Sequence, residues 1–370
     1  MKFVEYTVKP SIGFLFSLLL ILVLFACDDD NSADDTVDFD RAALLADAAD
    51  NLIVPNFETL QSSVATLSGA ITAFAETSTE QNLTAARTAW MQAVTDHQHC
   101  TAFGFGPADL LLGTYAEVLG AFPVNEASVE DNIVNPDFNL SGTFATNIRG
   151  FFTIEYLIFG NGPSDAELVA NFDQARKDYL LLIMDELKTT VDDIVSEWNT
   201  SYRAEFVSSD GTSAGSSISQ YYNEFVKDYE NLKNFKLELP AGLTAGQEEV
   251  DPALVEAFYS GISRDLIVEQ FENTKNIYFG RTRAGQEITG FDDYVNAVVG
   301  GPELVRTTTE AVSGIDAAIA NLPQGRLSDN IESNTVVVLR DLLQDNTANF
   351  KSSMSSLLGI SITFNSGDGD

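Results

Sequence analysis

Apolar residues recur at helical spacing along most of the chain, and this period constrains the fold more than any other feature. A spacing of three and four residues places side chains on one face of an α-helix. Runs of alternating apolar and polar residues are few, and 10 prolines in 370 residues suit long helices. The sequence therefore predicts an all-α fold. Two stripes illustrate the pattern: Leu60, Val64, Leu67, Ile71 and Phe74, and Val191, Ile194, Val195 and Trp198.

A Ser- and Gly-rich stretch separates two helical regions. Residues Ser208–Ser217 read SSDGTSAGSS, which is the composition of a flexible linker. Long helices with short connections are typical of up-and-down bundles. We therefore predict two packed helical bundles of the four-helix type, at 41–200 and 218–360. A linker at 201–217 joins them, and a tail at 361–370 follows.

The N-terminus has the pattern of an export signal. Lys2 and Lys9 form a weakly basic start before the apolar run Phe14–Phe25. A membrane-spanning helix needs about 20 apolar residues, so this shorter run is typical of a signal peptide. The run leads into LFAC, which resembles a bacterial lipoprotein lipobox. We predict a lipoprotein signal peptide at 1–26 and acylation of Cys27. An ordinary secretory signal is the alternative.

An acidic segment follows the predicted lipidation site. Residues 27–40 include three consecutive aspartates, Asp28 to Asp30, and charge repulsion favours an extended tether. An acidic cluster after a lipidated Cys resembles the surface-export signal of Bacteroidota lipoproteins. A solvated spacer on the periplasmic side is the alternative. We expect the protein at the outer membrane, anchored by its lipid. Both a periplasmic and a cell-surface orientation stay open.

The charge balance excludes one class of partner. The chain has 55 acidic and 20 basic residues, a formal net charge of −35. Nucleic-acid binding depends on clustered Lys and Arg, so we expect no nucleic-acid partner. An acidic surface of this kind could instead recruit a cationic protein.

The segment 147–160 is apolar almost all round its predicted helix, with Glu155 at its centre. A helix of this composition is expected to be buried. A buried carboxylate is costly unless it is paired, hydrogen-bonded or protonated. Two interpretations stay open: Glu155 pairs with an arginine of a neighbouring helix, or it belongs to a functional site.

This segment resembles the hallmark of the imelysin-like proteins, a GxHxxE motif followed by an aromatic residue and a short apolar run ending in Gly. Gly150, Glu155, Tyr156 and Gly160 match that pattern. Phe152 stands where the family has His. This chain therefore resembles a degenerate member.

A second segment supports the resemblance. Arg87 to Trp90 reads RTAW, and Ala102 to Pro107 reads AFGFGP, similar to the family's Arg-x-x-Trp and Phe-Gly-Pro segments. Thr101 occupies the place where the family has Glu. The resemblance extends over about residues 40–370.

The resemblance implies two helical bundles with the motif at their interface, export, and for several members a link to iron or haem uptake. A peptidase activity has been attributed to the founding branch. A phenylalanine can bind neither a metal nor a proton, so Phe152 weakens that activity here. By the resemblance, the ligand or interface site comprises Arg149, Gly150, Phe152, Glu155, Tyr156, Arg87, Trp90, Phe105, Gly106 and Pro107, with Glu155 the catalytic residue if the chain is an enzyme.

The two histidines of the chain, His97 and His99, are secondary candidates for a metal site together with Glu155. Residues two apart on a helix point in different directions, so His97 and His99 share one metal only where the helix breaks. Hydrogen-bonded histidines beside a buried Cys100 are the alternative. The zincin motif HExxH is absent from the sequence.

Three functions follow from these observations. The favoured one is a lipid-anchored, non-catalytic binding protein in iron, haem or related nutrient uptake, with uptake proteins as partners. The second is a peptidase dependent on iron or another divalent metal. The third is a structural lipoprotein that docks a partner through its acidic surface.

Overall fold

A computed structural model describes residues 39–109, 115–136, 140, 146–247 and 249–364. From Phe39 onward the chain forms one compact unit. The predicted signal peptide, Cys27 and nearly all of the tether lie outside the described residues. Those interpretations therefore stay predictions.

The described residues form helices and no β-strand, which confirms the all-α prediction. One isolated bridge joins Arg281 and Glu287. Within the described part of the chain, no helix is both long and apolar enough to cross a membrane. The α-helices are α1 Arg41–Ala48, α2 Val54–Glu76, α3 Glu80–Gln98, α4 Tyr115–Gly120, α5 Glu126–Val134, α6 Gly150–Phe159, α7 Asp165–Ala170, α8 Gln174–Glu197, α9 Arg203–Ser208, α10 Ser217–Lys233, α11 Ser263–Tyr278, α12 Phe291–Asn296, α13 Gly301–Ala320, α14 Asn334–Thr347 and α15 Ser355–Leu358.

Several helices continue through a π-helical turn, which shifts the side chains that follow relative to a regular α-helix. Such turns lie at Ala49–Ile53, Trp198–Tyr202, Asn234–Glu238 and Ala348–Met354. The turn after α10 matters most for the site, because it carries Lys236 into a buried position.

In the first half of the unit, α2 packs against α3 and α8, and α6 packs against the same two helices. The predicted stripe on α2 is buried along its whole length, including Leu60 and Phe74. Full burial of each such side chain contributes about 1.5–3 kcal/mol. The sequence period therefore identified the packing face of α2 correctly.

In the second half, α10 packs against α11 and α14, and α13 packs against α14 and α11. The halves meet where α11 contacts α3 and where α10 contacts the short turn Thr101–Phe103. Helix α10 buries polar residues such as Asn223, Asp228 and Glu230 besides its aromatic ones. Of these, Asp228 faces the junction, because it hydrogen-bonds Thr101 of the first half. Asn223 and Glu230 instead contact residues near the C-terminal end of the second half, Ser361 and Lys351.

The stretch predicted as a linker, 201–217, contains helix α9. The Ser-rich part after α9 is tied back on itself, because Ser216 Oγ donates to the carbonyl oxygens of Gly211 and Ser213, and Ser217 N donates to Ser209 O at 2.9 Å. The predicted division at this stretch stays a prediction.

Candidate functional site

Helix α6, which carries the motif, begins at a close approach between backbones. Gly150 has φ +74°, and a Cβ there would lie 2.5 Å from the carbonyl oxygen of Leu119 at the end of α4. Only glycine tolerates both conditions. The preceding Arg149 is buried, and its Nη1 donates to Leu140 O at 2.7 Å and to Glu186 Oε1 at 2.9 Å. Gly150 and Arg149 therefore fix where α6 starts.

Helix α3 also contacts α6 and positions it. Trp90 is fully buried, and its Nε1 donates to the carbonyl oxygen of Phe151 at 2.8 Å. Arg87 Nε donates to Ile158 O at 2.8 Å, and Arg87 Nη1 pairs with Asp165 at 2.7 Å. Arg87 and Trp90, the first and last residues of the RTAW segment, thus join α3 to α6. Their assignment to a ligand site stays a prediction.

Phe105, Gly106 and Pro107 lie in a separate aromatic cluster. The Phe105 ring stacks on Phe206 at 5.5 Å between centroids and contacts Trp198 edge to face at 6.1 Å. A Cβ on Gly106 would lie 2.2 Å from the Tyr202 ring, and Pro107 is buried beside it. This segment therefore packs against the end of α8 and against α9.

Glu155 is buried, with 1% of its surface exposed. Its Oε1 accepts a hydrogen bond from Ser260 N at 2.7 Å. Burial raises the pKa of Glu155 to about 8, and the hydrogen bonds of Ser260 and the charge of Arg326 oppose that rise only in part. No arginine or lysine of the described chain forms an ion pair with it. The carboxyl is therefore mainly neutral at pH 7, and of the two interpretations left open by the sequence, the pairing with an arginine is not seen among the described residues.

Glu155 faces a gap of about 10 Å³, enough for one water molecule. Phe122, Pro123, Phe152 and Tyr259 are among the residues that line the gap. The Phe152 ring contacts Phe122 at 5.4 Å and Trp90 at 6.4 Å between centroids. Phe152 therefore fills the space next to Glu155.

Tyr156 points away from this gap. Its hydroxyl donates to Glu130 Oε1 at 2.6 Å, and its ring lies 5.2 Å from that of Tyr259. Burial, followed by the hydrogen bond to Glu130, raises the pKa of Tyr156 well above its ordinary value. Tyr156 is consequently a neutral hydrogen-bond donor that connects α6 to α5.

A much larger cavity, of about 650 Å³, lies where the two halves meet. Its walls come from the end of α3, from α4 and the following loop, and from α10, its π-helical extension and α11. Phe122 and Pro123 line both this cavity and the Glu155 gap. The lining residues that carry its chemistry are His97, Gln98, Lys227, Asp228, Lys236, Glu256 and Gln270.

The polar groups of the cavity wall form a buried network. Lys236 Nζ donates to Gln98 Oε1 at 2.6 Å and pairs with Glu256 Oε2 at 2.7 Å. Gln270 Nε2 donates to Asp228 Oδ1 at 2.9 Å. Burial raises the pKa of Asp228 to about 7, against the opposing effects of hydrogen bonds and the Lys236 charge. Such a network holds the wall in one arrangement.

The two histidines point to different partners. His97 Nδ1 lies 3.0 Å from the Tyr115 hydroxyl, whereas His99 Nε2 pairs with Glu269 Oε2 at 2.8 Å. Burial, together with the nearby Lys236 charge, lowers the pKa of His97 to about 3. The imidazole of His97 is therefore neutral under all ordinary conditions, and only His97 lines the cavity.

The described residues do not provide a cage for a bare metal ion. Nowhere among them do three or more His, Cys, Asp or Glu side chains group closely enough to hold one. Glu155, His97 and His99, the candidates suggested by the sequence, are not brought together into such a group. The donor set fits neither a structural site of four ligands nor a catalytic site of three.

The sequence did not indicate several residues that shape the cavity. Gln98 and Lys236 are 138 positions apart, and Asp228 and Gln270 look like ordinary surface residues of amphipathic helices. The density of polar residues in α10 is a sequence signal for Asp228, whereas Gln98, Lys236 and Gln270 lie outside that helix.

Comparison with known proteins is consistent with this architecture. The sequence model of the family described as Imelysin (Peptidase_M75) matches residues 53–354. Among curated proteins, none matches the chain in sequence. Two solved structures share the fold. A candidate iron-regulated protein A precursor from Parabacteroides distasonis has 19% identity and a TM-score of 0.72, covering 86% of this chain and 95% of its own.

The second structure is an imelysin-like protein from Psychrobacter arcticum, with 18% identity and a TM-score of 0.68. The match covers 88% of this chain and 97% of that protein. At these identities the structural likeness speaks for the fold, whereas the sequence model spans most of the chain. This chain belongs to the imelysin family.

Proposed function

We propose that this protein is a cell-envelope binding protein, anchored by lipid at Cys27, that holds a small ligand for iron, haem or related nutrient uptake and performs no catalysis. The observation that carries the proposal is the cavity of about 650 Å³ at the junction of the two halves. Its volume is within the range of about 300–1,000 Å³ that is typical of small-molecule sites.

The composition of the cavity wall supports a binding role. Phe122, Phe235 and Phe364 supply apolar surface, while the Lys236–Glu256 pair and Asp228 supply fixed polar groups. Phe235 is 48% exposed, so an aromatic ring is accessible to solvent at this cavity. A mainly apolar wall with a few fixed polar groups is the usual design of a ligand pocket.

The arrangement around Glu155 supports the absence of catalysis. Its carboxyl is neutral, faces a gap for a single water, and lies behind Phe152 and Phe122. Residue 152, where the family has His, carries no group that could bind a metal or transfer a proton. The proposed link to iron is based on the family and on the similar structure from Parabacteroides distasonis, which is named as an iron-regulated protein.

Filling the cavity tests the proposal directly. We expect Ala116→Trp to reduce binding of ferric citrate or haemin at least about tenfold, because the indole occupies the cavity that Ala116 lines. The matched control is Val299→Trp, at a position that is 94% exposed. Isothermal titration calorimetry of the full chain in mild detergent gives both affinities.

The cellular role has its own test. Under iron limitation, a deletion strain should grow more slowly when its iron source is the compound that binds in calorimetry. A Cys27→Ser variant should no longer incorporate labelled fatty acid. Unchanged growth on every iron source, or equal binding by Ala116→Trp and the unmodified protein, would contradict the proposed function.

A further inference from the structure

Gly120, at the end of α4, lines the cavity, and its lack of a side chain leaves space on that side. Its φ is not in the left-handed region, so backbone conformation does not require glycine there. A Cβ at residue 120 would lie 2.8 Å from His97 Nε2 and 3.6 Å from Phe152 Cε2. Gly120 therefore leaves space directly in front of the His97 ring nitrogen.

The other side of the His97 ring is fixed by a chain of hydrogen bonds. Its Nδ1 lies 3.0 Å from the Tyr115 hydroxyl, which in turn hydrogen-bonds the Cys100 thiol. When the hydroxyl donates its one proton to the sulfur, it can only accept from Nδ1–H. That tautomer leaves a lone pair on Nε2, the atom facing the space at Gly120.

His97 Nε2 has no hydrogen-bond partner among the described residues. The His97 side chain is 2% exposed and lines the large cavity. An imidazole nitrogen with a free lone pair, held in orientation through its other nitrogen, is the arrangement found in metal-ligating histidines.

One imidazole cannot hold a bare ion. The described residues offer no group of three donors, so any metal at His97 must bring most of its ligands with it. A cavity of about 650 Å³ has room for such a complex, whereas a bare ion needs far less.

We propose that His97 Nε2 completes the coordination of a transition metal that enters the cavity inside its own organic chelate. Gly120 provides the room for the metal, and the Tyr115–Cys100 chain positions the imidazole. The bond formed is from the Nε2 lone pair to the metal, and it displaces a bound water from the chelate. This inference rests on the proposed function and specifies the ligand class of the same cavity.

The chain is well suited to a spectroscopic test, because it has two histidines and the second, His99, pairs with Glu269. The full chain, without a histidine tag, is titrated in mild detergent with Cu²⁺–iminodiacetate and, separately, with haemin. Electron paramagnetic resonance reports imidazole nitrogen on copper, and the Soret band reports an axial ligand on haem. Calorimetry on the same samples reports binding of any kind.

We expect an imidazole signature with at least one chelate, at least a tenfold weaker affinity in His97→Ala and Gly120→Ala, and no change in Gly69→Ala. Gly69 is the matched control, because a Cβ there meets nothing within 4 Å. Circular dichroism establishes that the variants fold, and Gly120→Ala serves as the second test if His97→Ala unfolds.

The outcomes separate the inference from the proposed function. A signature with copper but not haemin identifies a small chelate, and the reverse identifies a macrocycle; either supports the inference. A chelate that binds without any imidazole signature overturns the inference and leaves the cavity as a binding site. An imidazole signature that persists in His97→Ala also overturns it. Absence of binding by calorimetry to every chelate contradicts the inference and counts against the proposed function as well.

Discussion

The Glu155 gap and the His97 cavity share Phe122 and Pro123 as lining residues, but they differ in size and in the groups they contain. Glu155 is enclosed by aromatic rings and faces a gap of about 10 Å³, while His97 lines a cavity of about 650 Å³. Both groups are neutral near pH 7, the carboxyl through a raised pKa and the imidazole through a lowered one. Glu155, the acidic residue of the motif, is therefore part of the core, whereas His97, which lies outside the motif, lines a cavity of small-molecule size.

The largest expected effect comes from removing a buried side chain on the Glu155 side of this comparison, that of Trp90, which joins α3 to α6. Trp90→Ala should lower the free energy of unfolding by about 3–5 kcal/mol, because it leaves a large cavity and removes the hydrogen bond to Phe151 O. Urea unfolding of the full chain measures the loss. A loss below about 1 kcal/mol would show that Trp90 is not the structural anchor described here.

The charge state of Glu155 provides the next largest effect. Its pKa rises on folding from 4.5 to about 8, so the folded state retains a proton that the unfolded state releases. Stability therefore falls as pH rises from 4.5 to 8. Glu155→Gln removes this slope and should exceed the unmodified protein in stability by about 1–3 kcal/mol at pH 8.5, with little difference at pH 5.

The lowered pKa of His97 should give stability the opposite dependence on pH. Its pKa falls on folding from 6.5 to about 3, so stability is lost as pH decreases through that window. Urea titrations of Glu155→Gln and the unmodified protein between pH 4 and 9 separate the two contributions. A parallel pH profile for both proteins would contradict the neutral Glu155.

Restoring the family's histidine should alter ligand binding rather than fold. Phe152 Cε2 lies 3.6 Å from the point where a Gly120 Cβ would be, beside His97 Nε2. A second imidazole from Phe152→His would therefore reach the same space and strengthen binding of a copper chelate about tenfold, which is about 1.4 kcal/mol. Phe151→His, at a buried position whose ring lies 4.9 Å from that of His97, is the control. Equal gains in the two variants would show that proximity to Gly120 is unimportant.

The sequence predicted those parts of the molecule that depend on local periodicity. The buried stripe of α2 and the burial of Glu155 both follow from the apolar pattern of their own helices. The cavity could not be predicted, because it depends on contacts such as Gln98 with Lys236 and Glu256, which join distant helices. A charged residue such as Lys236 reads as surface until a π-helical turn and a partner place it inside.

The same limit applies to the motif residues. The resemblance assigns Arg87, Trp90 and Gly150 to a ligand site, and this assignment stays a prediction. The structure adds that their hydrogen bonds and close approaches join helices. His97 carried no local signal that separated it from His99. The three-dimensional positions of Gly120 and Tyr115 beside His97, and of Glu269 beside His99, distinguish the two imidazoles.

We propose that metal chelates bind at His97 and not at Glu155. A crystal of the full chain, soaked with Zn²⁺–iminodiacetate and measured at the zinc absorption edge, distinguishes the two positions. We expect one anomalous peak in the cavity, about 2.0–2.1 Å from His97 Nε2. A peak at Glu155, or peaks only on surface carboxylates, would contradict it.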